Sequence, residues 1–430
     1  MSFQVALTGL DAATTNLEVI SNNIANSNTN GFKRSRAEFA DVYASSDFGS
    51  VSNATGEGVR VTNIRQQHTQ GDINYTENSL DVAISGGGLF RLSDNGGGVV
   101  YSRAGAFGLD RDGYLTNATE QRLTGYQVDD RGTILPTLGE LKIDRADLQP
   151  KASEKVSLTA NIDQTSEAIG AGASFDVDNP KSYNFTTGAT IFDSQGSTHV
   201  INYYFRKEDD NKWKLFTVSA DTDTIVGDPD GYNLEFGTDG RLNALTDNAT
   251  PANTFVQRNS NGVPEGTFDV TVNAAALGSS VDDITLSMDL ASITQFDSAS
   301  GVNSVTADGF SSGRLSSLDI DKSGVIFGRY SNGQSKAMGQ IALANFSSLD
   351  GLRPVGDSSW AETFASGPPA IGAPGSASLG YIQSSALESS NVDVTEELVD
   401  MIGAQRSFQA NAQIISVADT LTQTIINMRR

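Results

Sequence analysis

The sequence predicts a mainly β protein with α-helical termini, its β domains discontinuous and nested and built of antiparallel, barrel-like meanders. Three observations carry this. Each end bears an apolar stripe of helical period; the middle is rich in Gly, Ser, Thr, Asn and Asp with short β-branched and aromatic runs; and one turn motif recurs through that middle. Because the helical stripes lie only at the extremes, residues 1–30 and 386–430 are assigned to a terminal helical domain whose helices form coiled coils.

At the N-terminal end Phe3, Ala6, Leu10, Ala13, Leu17, Ile20 and Ile24 are spaced alternately three and four apart, a heptad seam. The C-terminal stripe runs Leu398, Ile402, Phe408, Ala412, Ile415, Ala418, Leu421, Ile425 and Met428, interrupted at Gln405. Asp393 suits an N-cap and Glu396, at the third helical position, suits the return bond of a capping box, so a helix is expected to start near Val394. For an arbitrary protein such stripes pack on its own core.

Residues 31–75 lack a sustained period and are expected to form a linker. Beyond them the pattern apolar, Asp or Gly, two residues, Gly, one residue, apolar appears at Leu109–Leu115, Val128–Ile134, Phe236–Leu242 and Ile320–Ile326. Each is expected to be a hairpin turn, begun by the Asp side chain where there is one and closed by a left-handed Gly. A further turn, Asp193-Ser194-Gln195-Gly196, leads into His199–Phe205, with Trp213–Val218 expected alongside. Residues 148–302 hold 22 acidic and 9 basic residues, which suits an exposed, inserted outer β domain; 76–147 and 303–385 then form an inner, discontinuous one. Pro368, Pro369 and Pro374 mark a loop near its end.

Composition narrows the functional classes. The 430 residues, 38% apolar, suffice for two or three cores, and 29 basic against 52 acidic residues give a net charge of -23. That charge repels phosphate backbones and anionic lipid, so neither nucleic acid nor a membrane is an expected partner. Without cysteine there are no disulfides, thiolate metal sites or cysteine nucleophiles. The first thirty residues lack Lys and Arg and no apolar run approaches a membrane span, so any export is expected to proceed without a cleaved secretory signal.

Enzyme signatures are absent. His68 precedes Thr69 and His199 precedes Val200, so there is no HExxH, and neither a Gly-Lys pair nor GxGxxG occurs. Asp319, Asp321, Ser323, Gly324 and Ile326 match the start of a calcium loop, but its twelfth position is Tyr330 rather than Glu, which favours a plain turn. Asp221, Asp223, Asp228 and Asp230 read as a solvated acidic loop, and Gly86–Gly88 and Gly96–Gly98 as turns. No catalytic, cofactor or metal-binding residues are expected.

The most specific stretch is Asn22-Asn23-Ile24-Ala25-Asn26-Ser27-Asn28-Thr29-Asn30-Gly31-Phe32-Lys33, where repeated Asn followed by Gly stops a helix and Phe32 anchors the departing chain. It resembles the N-terminal signature of the flagellar rod and hook protein family, carried here by Asn22, Asn23, Ala25, Asn26, Thr29, Gly31, Phe32 and Lys33. Ala386–Asp393 and Ala404–Asn411 resemble the family's C-terminal signature through Asn391, Val392, Asp393, Gln405, Arg406 and Asn411. The likeness continues inward through Leu80–Ile84, Tyr101–Arg103, Gly339–Phe346 and Gly351-Leu352. Thr190–Trp213 looks like the domain inserted in hook members and lacking in rod members, whereas 148–302 otherwise matches only in patches.

The resemblance implies a non-enzymatic subunit that polymerises through its terminal helices into the flexible hook tube, which transmits torque from rod to filament. It implies as partners the chain itself, a distal rod protein, a hook-filament junction protein, a hook cap and the flagellar type III export apparatus. The expected location is the extracellular hook. Phe39 and Tyr43 match the short export-gate pattern of a Phe followed four residues later by an apolar residue. A distal rod protein is the nearest alternative, discriminated by the inserted domain; a secreted β-rich adhesin is another, against which the helical ends argue.

Overall fold

The computed structural model describes residues 2–42, 56–94, 96–129, 131–170, 172, 174–247, 254–258, 264–278 and 281–428. The chain forms two compact units. The first comprises Met1–Arg145, Ser316–Arg329 and Ser335–Arg430, and the second Ala146–Leu315 with Tyr330–Gln334. Strands dominate both, with helix α1 (Ser2–Ala25) and helix α2 (Val394–Met428) at the two ends of the chain. Among the described residues no helix is long and apolar enough to cross a membrane.

α1 stops where its asparagines bond backwards. The Asn26 carboxamide donates to Asn22 O at 2.9 Å, and the amides of Ser27 and Thr29 close tight turns onto Ile24 O and Asn26 O. Gly31 then takes φ +70°, and a Cβ there would lie 2.5 Å from the Ala104 nitrogen. Handedness and close approach both require glycine at this position. α2 begins on Asp393, whose Oδ1 accepts from Thr395 N at 2.8 Å and Glu396 N at 3.3 Å. Glu396 departs from the expected capping box: its carboxylate lies on Arg34 at 3.0 Å, a stronger, charged donor than the Asp393 amide.

Residues 31–75, expected as a linker, contain the antiparallel strand pair Ser35–Val42 and Gly58–Gln66 and a short strand Ile73–Tyr75 that pairs with Ala386–Glu388. Only Ala37 is buried along the longer pair. With a single buried position, the pair needs no apolar alternation, which is why its sequence shows no period.

The rest of the first unit is a 13-stranded sheet around Leu89, Tyr101, Ala344, Phe346, Leu352 and Trp360, with a two-stranded pairing of Val82–Ser85 and Tyr381–Ser384 beside it in the chain's own register. Its turns show how the recurrent motif works. The Oδ1 atoms of Asp110, Asp129 and Asp321 accept the amide four residues on at 2.8, 2.7 and 2.9 Å, while Gly113, Gly132 and Gly324 sit at φ +87°, +80° and +77°. Asp321 thus serves a hairpin, and Asp319 pairs with Arg329 at 2.6 Å across it.

The second unit packs an eight-stranded and a five-stranded sheet on one core that includes Trp213, Tyr203, Phe205, Leu234, Phe268, Leu286 and Met288. Alternation of buried with half-buried or exposed residues along Lys155–Asp163, Phe268–Val272 and Ile284–Asp289 aims one face of each strand at that core. Phe185–Phe192, Thr198–Asp209 and Lys212–Ser219 form an antiparallel meander with Tyr204 opposite Phe216. Its second face is covered in turn, as Phe175 stacks on Phe216 at 4.1 Å and Tyr183 meets Tyr204 edge-on at 4.8 Å. Lys155–Asp163 pairs parallel with Ile284–Asp289 and Thr294–Phe296. The intervening chain, more than a hundred residues long, is ample for a crossover.

Candidate assembly interface

The two terminal helices pair antiparallel. Asn23, near the end of α1, donates to Glu397 Oε1 at 3.2 Å, and a Cβ on Gly9 would meet the Asn411 carboxamide at 2.8 Å. Each contact pair is displaced by fourteen residues along its helix, so the axes run in opposite directions in one register. The covered arc of α1 includes Ala6, Ala12, Ala13, Val19, Ile20 and Asn23. On α2, Glu397 and Ala404 are buried, and Met401, Phe408, Asn411, Ala412, Ile415 and Ala418 are half-buried.

The N-terminal stripe is therefore divided. Ala6, Ala13 and Ile20 are buried within the subunit, Leu10, Leu17 and Ile24 are half-buried, and Phe3 is 51% exposed. On α2, Phe408, Ala412 and Ile415 share the inner face, while Leu398, Ile402 and Leu421 are about half exposed. Ile425 lies within α2. Phe39 is exposed on its strand, and Tyr43 lies outside the described residues.

The signature residues converge on a buried polar latch at the joined ends of the helices. Glu388, 1% exposed, accepts Lys33 Nζ at 2.7 Å and Gly71 N at 3.0 Å through Oε1, and Arg103 Nε at 2.5 Å through Oε2. Arg103 also donates to the carbonyls of Ile84, Gly86 and Gly88, and Lys33 donates to Thr69 O at 2.7 Å. Burial holds the Lys33 ammonium below the usual lysine range, with Glu388 pulling it up and Arg103 pushing it further down. One carboxylate thus faces two cations, and backbone carbonyls take the remaining donors.

Around the latch, side chains of the signature tie backbone to backbone. Asn23 exchanges bonds with Ser35 N and O at 2.9 and 2.8 Å. Asn391 accepts from Arg34 N at 2.7 Å and donates to Gln67 O and Thr69 Oγ1, both at 2.8 Å. Gly31 N donates to Glu388 O at 2.8 Å. Arg34 then reaches onto α2, with Glu397 at 2.5 Å, Glu396 at 3.0 Å and Asp400 at 3.4 Å. Asn22, Ala25, Thr29, Gln405 and Arg406 stay exposed; Asn26, Phe32 and Val392 are half-buried.

The residues that sequence reasoning did not single out are Arg34, Arg103, Glu388 and Glu397. Each is a charged residue inside a recognised signature or beside one, but no local spacing tells that 33, 103 and 388 meet. Of the two histidines, His68 contacts Trp360 edge-on at 5.7 Å, and His199 lies between Asp221 at 2.6 Å and Asp193 at 3.3 Å. Those carboxylates approach opposite ring nitrogens, so the three do not converge on one point.

Protein-family profiles match four stretches of this chain: Flagella basal body rod protein at residues 3–33, Flagellar hook protein FlgE/F/G D1 domain at 83–165, Flagellar basal body protein FlaE D2 domain at 158–310, and Flagellar basal body rod FlgEFG protein C-terminal at 383–428. The chain is 38% identical to the flagellar hook protein FlgE of Salmonella typhimurium over 437 aligned positions, covering all of both chains. It is 38% identical to that of Escherichia coli K12, again over the whole of both, and 32% to that of Treponema pallidum, over 99% of this chain and 98% of the relative. The crystal structure of the Helicobacter pylori flagellar hook protein FlgE2 shares the fold with a TM-score of 0.52 at 16% identity, covering 74% of this chain and 100% of that one.

Proposed function

Since the chain belongs to the flagellar hook protein family, we propose that it builds the hook by stacking its paired terminal helices against those of neighbouring copies, giving a flexible tube that passes torque from rod to filament. The observation that carries this is the outward side of α2, where Leu398, Val399, Ile402, Val417 and Leu421 are each about half or more exposed. A row of large apolar side chains left in water favours whatever covers it, and in a self-assembling family that cover is another subunit.

In this reading residues 1–30 and 386–430 line the inside of the tube, 76–147 and 303–385 with the 31–75 connection form a middle layer, and the acidic 148–302 lies outermost. The tube meets a distal rod protein at one end and a hook-filament junction protein at the other, and grows under a hook cap. Subunits leave through the flagellar type III apparatus without cleavage and reside outside the cell, with Phe39 and Tyr43 as the export-gate pair. What supports these partners is the pair of signatures at the chain ends. Likeness over the full chain, inserted segment included, to relatives named flagellar hook protein FlgE favours the hook over the rod alternative.

Electron microscopy of the concentrated protein tests the reading, with tubes as the expected outcome. Leu10→Asp or Leu17→Asp places a carboxylate in a half-buried apolar site, a penalty of several kcal/mol repeated in every subunit. Those variants are expected to keep their β-sheet spectrum and form no tubes, while Asp11→Asn and Glu18→Gln, at exposed positions, assemble normally. A wild-type chain that stays monomeric at every concentration would sink the proposal and favour a monomeric surface binder.

A further inference from the structure

The turn that ends α1 sets an asparagine directly before a glycine, at Asn30-Gly31. In that pair the side-chain carbonyl carbon lies one ring closure away from the next amide nitrogen, and glycine has no Cβ to shield the approach. Of the four Asn-Gly pairs in the sequence, two lie among the described residues, Asn30-Gly31 and Asn332-Gly333. Their surroundings differ in kind.

Asn332 is tied at both ends of its side chain, with Nδ2 donating to Ser311 O at 2.6 Å and Oδ1 accepting from Gln334 N at 3.1 Å. Asn30 is half-buried, and its carboxamide makes no hydrogen bond among the described residues. Whatever restrains the pair at position 30 must therefore act on Gly31. That residue is buried, and its N–H donates to Glu388 O at 2.8 Å. Attack on Asn30 needs the amide to give up this bond and its peptide plane to turn. With the Ala104 nitrogen only 2.5 Å from where a Cβ would stand, the plane has no room to do so. Glu388 in turn is fixed by its side-chain bonds to Lys33, Arg103 and Gly71 and by strand pairing with Ile73.

We propose that Asn30 is a deamidation site gated by the latch, silent while Glu388 holds Gly31 and reactive when the latch is open. In the open chain hydroxide removes the Gly31 amide proton and the nitrogen adds to Asn30 Cγ. Ammonia leaves, taking a proton from water, and a five-membered succinimide remains. Water then opens that ring. Cleavage of the Cγ–N bond gives aspartate with the main chain unaltered; cleavage of the original peptide bond gives isoaspartate, whose main chain runs through the β-carbon. Isoaspartate thus inserts one methylene ahead of Gly31, where even a single Cβ has no space. Chains that take this course cannot latch again, so the pair removes, one way, molecules that stay open.

The test ages full-length protein in mildly alkaline buffer and maps tryptic peptides by mass spectrometry. Met1–Lys33 reports position 30, localised by fragmentation, and Tyr330–Lys336, cut after Arg329 and Lys336, reports Asn332 in the second unit. Both peptides should convert in urea and stay amidated in native wild type. In native Glu388→Gln, position 30 should convert about tenfold faster or more, because its rate follows the population of the opened latch, while Asn332 keeps its wild-type rate. Equal rates at position 30 in wild type and variant, or both peptides accelerating together, would overturn the gating. After ageing in urea and refolding, a short protease pulse removes chains that have not refolded. Survivors should carry asparagine or aspartate at position 30 and be depleted of isoaspartate. Isoaspartate among the survivors at its share before the pulse would overturn the exclusion.

Discussion

Replacing Glu388 by Gln isolates the latch, because it keeps the shape of the side chain and removes its charge. Lys33 and Arg103, only 3% and 6% exposed, would then face each other without a counter-ion, and a carboxamide NH₂ would oppose one of their donors. Breaking a buried ion pair by removing one partner costs about 3–5 kcal/mol. In a unit of this size each kcal/mol lowers the melting temperature by about 2–4 °C, so a fall of roughly 6–20 °C is expected. The chain's two tryptophans make this readable: Trp213 lies in the second unit, and Trp360, in the first, is 2% exposed with Nε1 donating to Gln66 Oε1 at 2.7 Å. In a Trp213→Phe background, fluorescence follows the first unit alone. Adding Lys33→Met removes one stranded cation and should recover a good part of the loss. A shift below about 3 °C, or a double variant no better than the single, would refute the idea that this charge balance holds the unit together.

Gly31→Ala should destabilise the same unit by roughly 2–5 kcal/mol, since it combines a left-handed backbone with a Cβ driven into the Arg103–Ala104 backbone; a change under about 1 kcal/mol in denaturant unfolding would show that the loop can yield. Acid should weaken the second unit through Asp193 and Asp308. Burial favours raising both carboxyls, but bonds from Ser197, His199 and Gln195 to Asp193, and from Lys151, Lys155 and Glu154 to Asp308, outweigh it and hold them below the ordinary 3.8. Folded carboxyls with depressed pKa contribute stability that is complete above that value and lost as pH falls beneath it, so the unfolding midpoint should drop below about pH 4 and Asp193→Asn should flatten that slope. An equal slope in that variant would remove Asp193 from the account.

What could be read in the sequence was what is local. Asp110, Asp129 and Asp321 bond to amides four residues away, so composition and spacing suffice to place those turns. The helical ends were legible for the same reason. The ribbon of Ser35–Val42 and Gly58–Gln66 was not, because it buries almost nothing. α1 buries Ala12 and Val19 beside the expected seam because the helix packs on this ribbon as well as on α2, which widens its covered arc beyond two columns. Glu388 was visible only as one letter of a motif. Its partners lie 355 and 285 residues away in the chain, and no one-dimensional period encodes such a meeting.

That separation governs the order in which the molecule can be completed. Lys33 waits for a carboxylate 355 positions downstream, and Asn23 for one 374 downstream. Folding the inserted unit first helps little: Leu148 and Gly313 exchange backbone bonds and so shorten the loop from Lys33 to Glu388 to roughly 190 residues, but halving a loop saves only about 0.6 kcal/mol of closure entropy. Availability of the last tenth of the chain is what decides. Until Glu388 and α2 arrive, Lys33 and Arg103 lack their shared counter-ion, and the side of α1 that faces α2 lacks its cover. The charge balance of the first unit is therefore complete only once Glu388 is in place, whereas the second unit, whose residues all precede Glu388, does not wait for it.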